Sequence, residues 1–166
     1  MARADIGLDA DTGQIVAATL TNKDVDDGVE VGLLLDQVPG PVASFTANGA
    51  YDQDGVAAAV AERHPEAAII VLPRFTAVPS ETAATTPTQR DRYLQSISEH
   101  GRAGWQKASG YTKQARVEAA VGGFKQVIGD RLRSRTDLRR ATEVDVAVHA
   151  LKRMLELGRP ISVRIA

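Results

Sequence analysis

Two short apolar runs separated by a helical segment constrain the fold most. Residues 42–47 and 67–72 are rich in β-forming side chains and short enough for buried strands. Between them, the segment from Asp52 to about Arg63 places apolar residues at helical spacing. A strand, a helix and a second strand with short connections form a βαβ unit, whose strands pair in parallel. The pattern therefore predicts a parallel strand pair with a helix packed on it.

A hairpin is predicted ahead of this unit. Residues 6–10 and 14–20 are apolar enough for two strands, and Asp11, Thr12 and Gly13 between them are typical of a turn. An antiparallel hairpin followed by a βαβ unit gives a mixed sheet with helices packed on it. The expected fold class is therefore α/β.

Helical patterns account for most of the remaining chain. A loop rich in Pro and Thr is expected over residues 73–87, and Thr88 is a candidate N-cap for the helix that follows. A Gly-rich connection is expected around Trp105 and Gly110. No linker is long enough to divide the chain, so residues 1–166 are predicted to form a single domain. The predicted helices span residues 25–37, 88–100, 113–130 and 137–157.

Composition and missing motifs exclude several classes of function. The 166 residues include no cysteine, which excludes disulfides, cysteine-ligated zinc and a cysteine nucleophile. No apolar run approaches the ~20 residues of a membrane helix, so no membrane partner is expected. The chain lacks the serine-hydrolase elbow, the P-loop and the His-Glu-x-x-His zinc motif. His64, His100 and His149 are scattered, as surface or helix-end histidines are.

The net charge of −1 conceals a strong asymmetry along the chain. Residues 1–73 carry a net charge of −9, and residues 74–166 carry +8. Such a basic half favours a polyanionic partner, although it could also hold two halves of one fold together. Basic residues are densest between the last two predicted helices, where they either contact DNA phosphates or form a solvated junction. They are Arg131, Arg133, Arg135, Arg139 and Arg140.

Three oxygen-bearing side chains stand at positions where a sheet and a helix can bring them together. Asp9 closes the first predicted strand, Asn48 follows the strand at 42–47, and Glu118 lies on the helix at 113–130. Oxygen ligands of this kind bind Mg²⁺ or Mn²⁺, and a pair of such ions can promote phosphodiester cleavage and transfer. Asn48-Gly49 could equally be a simple turn.

The helix of Glu118 has a polar face and an apolar face. At about 100° per residue, Tyr111, Gln114, Glu118 and Lys125 fall within an arc of roughly 60°. An apolar stripe of Val117, Val121, Phe124 and Ile128 lies roughly 80° away. Glu118 is thus either a metal ligand at the border of the buried face or an ordinary solvated residue. Trp105 is either a core residue or a residue that stacks on a flipped base.

Together these segments resemble the bacterial insertion-sequence DDE transposases. The pattern of that family on this helix is Tyr, two residues, Arg, three residues, Glu, six residues and Lys, and Tyr111, Glu118 and Lys125 match it in register. Residues 8–16 resemble its first-Asp strand and hairpin, and residues 45–52 resemble its second-Asp segment. Residues 87–91 and 101–105 resemble one subgroup. The likeness covers nearly the whole chain.

The resemblance implies a ribonuclease H-like fold and DNA transposition with two Mg²⁺ or Mn²⁺ ions. Asp9, the residue at position 48 and Glu118 would be the catalytic metal ligands. Tyr111 and Lys125 would contact DNA. The basic cluster separately offers Arg131, Arg133 and Arg135 as candidate DNA contacts. The expected partners are transposon ends and target DNA, and a homodimer is a candidate assembly. The expected location is the bacterial cytoplasm, with nucleoid association when DNA is bound.

The chain also departs from the family pattern. Position 48 is Asn where the family has its second catalytic Asp, so one negative charge is missing beside the metals. Position 114 is Gln in place of Arg, and Gly122-Gly123 weakens the helix. No N-terminal DNA-end-binding region precedes the first strand, which suggests a truncated, decayed copy with impaired catalysis. The alternatives are a non-catalytic DNA-binding remnant and a relic without function.

Overall fold

The computed structural model describes residues 2–22, 24–129 and 132–158, whose structure is mixed α/β as predicted. The chain forms two compact units. Residues 24–115 make up the first, which we call the central unit. Residues 1–23 and 116–166 make up the second, which we call the terminal unit.

The terminal unit pairs a β-hairpin with a long helix. Strands β1 (Ala2–Leu8) and β2 (Ile15–Asn22) are antiparallel. Helix α5 (Asp137–Leu157) has the predicted bounds and packs on the hairpin, because its apolar stripe buries Val144 and Val148 beside Ile15. Partly buried apolar side chains surround this core: Ile6, Leu8, Ala18, Leu20, Leu132 and Leu151.

The central unit contains the predicted βαβ arrangement. Strands β3 (Ser44–Ala47) and β4 (Ala68–Val71) pair in parallel, and α2 (Asp54–Arg63) connects them. The prediction of one mixed sheet is wrong for the described part of the chain, in which the strands form two sheets of two strands each. The reason is that β1 and β2 pair only with each other, while the parallel pair is only four residues long.

Two helices cover the core of the central unit. Helix α1 (Asp27–Leu35) begins at Asp26, whose carboxylate caps it by accepting from the Gly28 N–H at 2.8 Å. The backbone of α2 approaches so closely that a Cβ at Gly28 would lie 2.8 Å from the Gly55 carbonyl group. Glycine is therefore required where the two helices cross. The core between them consists of Val31, Leu35, Val56, Val60 and Ala67.

Helix α3 (Gln89–Ser109) extends further than predicted. Thr88 caps it as expected and forms a capping box with Asp91. The predicted end at residue 100 is confirmed as a break in the helix, since Gly101 adopts the non-helical φ 74° and ψ 167°. Because glycine tolerates positive φ, the chain turns there and becomes helical again. Trp105 therefore lies on a helix and not in the connection that the sequence predicted.

Helix α4 (Gln114–Ile128) carries Glu118. A 3₁₀ turn (Tyr111–Lys113) precedes it, and the boundary between the two units falls within its first turn, after Ala115. The prediction of a helix over residues 113–130 is thus confirmed up to Ile128, and residue 130 lies outside the described residues.

Candidate functional site

Asp9 stands at the first bend after β1, next to an irregularity in the hairpin. The register between the two strands shifts between Gly7 and Leu8. Such bulges change the direction of the side chains that follow them. The Oδ1 atom of Asp9 accepts hydrogen bonds from the N–H groups of Asp11 at 2.8 Å and Thr12 at 3.0 Å. Asp9 is therefore an exposed carboxylate held in place by its own loop.

Asn48 directly follows β3, as predicted. Its Oδ1 accepts a hydrogen bond from the Ala50 N–H at 2.9 Å and so caps the 3₁₀ turn at Gly49–Tyr51. The side chain is exposed. Asn and Asp are about equally good caps, so an Asp at position 48 would stabilise this turn about as well as Asn48 does. The local geometry would therefore accept the carboxylate that the transposase pattern has at this position.

The segment after Asn48 is anchored by two arginines. The Arg74 guanidinium donates to the carbonyl oxygens of Gly49 at 3.2 Å and Ala50 at 3.1 Å. Asp52, whose side chain is 5% exposed, accepts from the Arg90 guanidinium at 2.7 Å and from the Arg74 N–H at 2.9 Å. Burial raises the pKa of Asp52, but the bonds from Arg90 and Arg74 outweigh it and leave the pKa below its ordinary value.

This network corrects the predicted position of Asp52. The residue lies at the end of the 3₁₀ turn, before the helix that begins at Asp54, and not inside that helix. Its carboxylate is already bonded to Arg90 and to the Arg74 N–H. Asp52 therefore holds the segment of Asn48 in place and is not a substitute for the missing carboxylate.

A contact within the terminal unit joins the helix of Glu118 to the loop of Asp9. The Arg116 guanidinium donates to the Ala10 carbonyl oxygen at 2.8 Å and lies 3.5 Å from that of Asp11. Arg116 is in the first turns of α4, two residues before Glu118, and Glu118 itself is exposed. The terminal unit thus ties together the two elements that carry the predicted acidic ligands.

The aromatic residues near this helix are packed within the central unit. Trp105 is 1% exposed and its ring lies 5.2 Å from that of Tyr93 and 5.5 Å from that of Tyr111. The hypothesis that Trp105 stacks on a flipped base is therefore wrong, because the ring is core. Tyr111 is 9% exposed, so the structure gives it a packing contact, and its DNA contact stays a prediction. Gln114, at the family's arginine position, is buried as well.

The basic cluster is described in part. Arg131 lies outside the described residues, while Arg133 and Arg135 are exposed, as Lys125 is on α4. The Glu143 carboxylate accepts from the N–H groups of Arg133 at 2.8 Å and Ser134 at 2.9 Å. These backbone bonds lower the pKa of Glu143 below its ordinary value. The backbone before α5 is thereby fixed while the two arginine side chains extend into solvent.

The predicted ligands fit a hard cation by chemistry but carry little charge. Asp9 and Glu118 offer carboxylates and Asn48 offers an amide oxygen, and all are of the donor type that Mg²⁺ and Mn²⁺ prefer. Within the described ranges, no three His, Cys, Asp or Glu side chains converge as a group able to hold a metal ion. Because position 48 is Asn, the predicted ligand set contains two acidic side chains and not three.

Sequence reasoning missed the arginines that organise this region. Arg116 lies outside the polar arc of α4, and its acceptor is a backbone carbonyl more than a hundred residues away. Arg74 lies in a predicted loop and bonds to Gly49, which is 25 residues earlier. Arg90 lies at the start of a predicted helix and bonds to Asp52, which is 38 residues earlier. The one sequence signal for these contacts is the charge asymmetry. It indicates that basic side chains of residues 74–166 bond to acidic or carbonyl groups of residues 1–73.

In the described residues, which form a mixed α/β fold, Asp9 and Asn48 follow strands and Glu118 lies on a helix. The family model described as a transposase DDE domain matches residues 2–151, and this chain belongs to that family. No curated protein and no solved structure matches the chain. Membership implies DNA as the partner, and the family typically uses divalent metal ions. None of the helices described is long and apolar enough to cross a membrane.

Proposed function

We propose that this chain is the catalytic domain of a transposase of the bacterial insertion-sequence, Tyr-Arg-Glu-Lys type, with a ribonuclease H-like fold over residues 1–166. It would cleave DNA strands and transfer them with the aid of Mg²⁺ or Mn²⁺, at reduced efficiency. The contact from Arg116 to the Ala10 carbonyl carries this proposal, because it joins the helix of Glu118 to the loop of Asp9. The family match supports the lineage.

The chain's own residues would divide the work. Asp9 and Glu118 would hold the cations with their carboxylates, and position 48 would add a third oxygen. Bound divalent ions supply Lewis-acid stabilisation of charge on the phosphodiester. Arg116 would position Glu118 relative to the Asp9 loop by its bond to Ala10. Lys125, Arg131, Arg133 and Arg135 would contact DNA phosphates, and Tyr111 would help to place the DNA end.

Asn48 would weaken this site without disturbing the fold. A neutral amide oxygen replaces a carboxylate, so one negative charge that would attract the cations is absent. The amide is meanwhile a complete cap for the turn at Gly49–Tyr51. Asn48 therefore caps the turn as an Asp would, but it would bind a divalent cation more weakly than an Asp.

Mn²⁺ titration by calorimetry tests this proposal. Asn48→Asp should bind Mn²⁺ about tenfold or more tightly than the unaltered chain, because it adds a charged oxygen ligand. Asn48→Ser is the matched control, since Ser caps the turn equally well and adds no carboxylate. Adding Glu118→Gln to Asn48→Asp should abolish the gain. Equal binding by the Asp and Ser variants, both folded, would show that position 48 is not part of a metal site.

A non-catalytic DNA-binding remnant is the second candidate. It is favoured by the exposed side chains of Arg133 and Arg135, since Glu143 holds the backbone at Arg133 and Ser134 in place. It is also favoured by Asn48, which stands where the family has its second catalytic Asp. It predicts salt-sensitive DNA binding without cleavage, even for Asn48→Asp in Mn²⁺. Alanine at Arg133 and Arg135 should weaken binding and reduce its salt dependence, while Arg153→Ala on the exposed face of α5 should not. Cleavage by Asn48→Asp would exclude this candidate.

A further inference from the structure

Phe75 is displayed to solvent in a protein that has few aromatic residues. Only 4% of the residues are aromatic, and Phe75 is 90% exposed. The other aromatic side chains that the structure describes are buried or half-buried: Phe45, Tyr51, Tyr93, Trp105 and Tyr111. A ring this exposed gains little free energy from burial.

The turn that carries Phe75 is firmly anchored. Pro73, directly before Arg74, is among the most buried residues. The Arg74 N–H donates to Asp52 at 2.9 Å, and the Ala77 N–H closes the turn on the Arg74 carbonyl oxygen at 3.0 Å. The Arg102 guanidinium donates to the Pro73 carbonyl oxygen at 2.8 Å. The exposure of Phe75 is therefore built into a fixed turn.

A cation lies on the ring itself. The guanidinium carbon of Arg102 is 3.9 Å from the centroid of the Phe75 ring, which is a cation–π contact. Arg102 reaches this place from the first residue after the kink at Gly101. With one face covered by Arg102 and the residue 90% exposed, the ring presents its π surface to solvent beside a positive charge.

The turn also lies at the edge of the parallel pair where Asn48 stands. Ala47 pairs with Val71 at the ends of β3 and β4, so Asn48 and Leu72 leave the sheet at the same edge. Arg74, next to Phe75, bonds to the Gly49 and Ala50 carbonyl oxygens of the segment after Asn48. The exposed ring is therefore fixed to the same segment as the proposed ligand.

We propose that Phe75 and Arg102 form a stacking platform for an unpaired DNA base. A nucleobase offers a flat π face to the ring, and the phosphates beside it suit the guanidinium groups of Arg102 and Arg74. This combination of one aromatic face and two cations favours a single DNA strand over an apolar protein partner. The inference rests on the proposed function, because DNA binding is taken from it.

Binding of a short duplex with a single-stranded overhang of about five nucleotides tests the platform. Fluorescence anisotropy should show that Phe75→Ala weakens binding by about 5- to 100-fold, the range expected for one stacked base. The salt dependence should be unchanged, because no charge is removed. Arg102→Ala should weaken binding and lower the salt dependence as well. Val78→Ala, at a 71% exposed position of the same loop, is the matched control and should bind as the unaltered chain does.

Abasic probes distinguish stacking from other contacts. When the overhang carries abasic sites, the unaltered chain and Phe75→Ala should bind equally. A Phe75→Ala protein that binds the normal overhang as tightly as the unaltered chain overturns the platform and leaves the proposed function intact. If the unaltered chain binds no DNA, both proposals fail. If Phe75→Ala instead dissociates a self-associated form in sedimentation without DNA, Phe75 is a contact between copies of the chain and the platform is overturned.

Discussion

In the central unit, the carboxylates of Asp52 and Asp91 are buried and bonded on several sides, whereas in the terminal unit those of Asp9 and Glu118 are exposed. Asp91 accepts from Ser80 and from Thr88, and these bonds hold its pKa far below the ordinary value. Such groups are committed to folding. A carboxylate that remains exposed on an anchored element is better suited to bind a ligand, which is why the catalytic proposal rests on Asp9 and Glu118.

The two units also differ in how their helices are stabilised. Helix α3 of the central unit begins with a full capping box at Thr88 and Asp91. Helix α4, which supplies Glu118, contains Gly122 and Gly123, and a Cβ added to either would meet no atom within 4 Å. Glycine inside a helix costs about 1 kcal/mol relative to alanine. Helix α3 also contains two glycines, but Gly101 has φ 74° and a Cβ at Gly104 would lie 2.9 Å from the Cβ of His100. Of the two helices, α4 is therefore the one whose glycines alanine can replace without strain.

The largest expected effect comes from Asp52. Asp52→Asn should lower the free energy of unfolding by about 1.5–3 kcal/mol, because a neutral amide replaces the carboxylate that accepts hydrogen bonds from Arg90 and from the Arg74 N–H. Urea unfolding measures the loss. Glu66→Gln, at an exposed position in the turn after α2, is the control and should change stability little. If the loss is no larger than that of the control, the bonds from Arg90 and Arg74 to Asp52 do not stabilise the central unit.

The local features of the fold could be predicted from the sequence. Thr88 caps its helix, α5 spans the predicted residues, and the βαβ order is as expected, because each depends on neighbours within one or two turns. The helical segment after the break at Gly101 was not predicted, since a glycine in a helical pattern is compatible with an end or with a kink after which the helix resumes.

The contacts around the candidate site could not be predicted. Arg116 bonds to a carbonyl of a loop 106 residues earlier, and Arg90 bonds to Asp52 across 38 residues. No spacing rule connects such pairs, because tertiary packing alone brings them together. The sequence could suggest which residues carry chemistry, but not which arginines hold their elements.

A smaller effect of opposite sign is expected in α4. Gly122→Ala and Gly123→Ala should each raise stability by about 1 kcal/mol, because the added methyl group enters open space and restricts the unfolded chain. Thermal melting should show a rise of about 2–4 °C for each change. Gly101→Ala in α3 is the matched control and should destabilise, since its φ of 74° is strained for alanine. The proposed difference between α3 and α4 would be wrong if Gly101→Ala stabilised the protein. It would also be wrong if neither Gly122→Ala nor Gly123→Ala did so.

The smallest effect concerns Glu143, a carboxylate of the terminal unit that accepts hydrogen bonds from the backbone before α5. Its pKa is lowered in the folded state by the N–H groups of Arg133 and Ser134. Its contribution to stability is therefore present above the unfolded pKa of about 4.3 and is lost as the pH falls below that value. Glu143→Gln should be slightly less stable near pH 7, and its difference from the unaltered chain should shrink between about pH 5 and pH 3.

Hydrogen exchange gives the local readout for this change. The amides of Arg133 and Ser134 should be less protected in Glu143→Gln than in the unaltered chain at the same pH, while those within α5 should not differ. Glu156→Gln, an exposed position near the end of α5, is the control. Unchanged protection at both amides would show that Glu143 does not hold the arginine segment. Glu143 would then differ from Asp52 and Asp91, whose carboxylates hold neighbouring segments of the central unit.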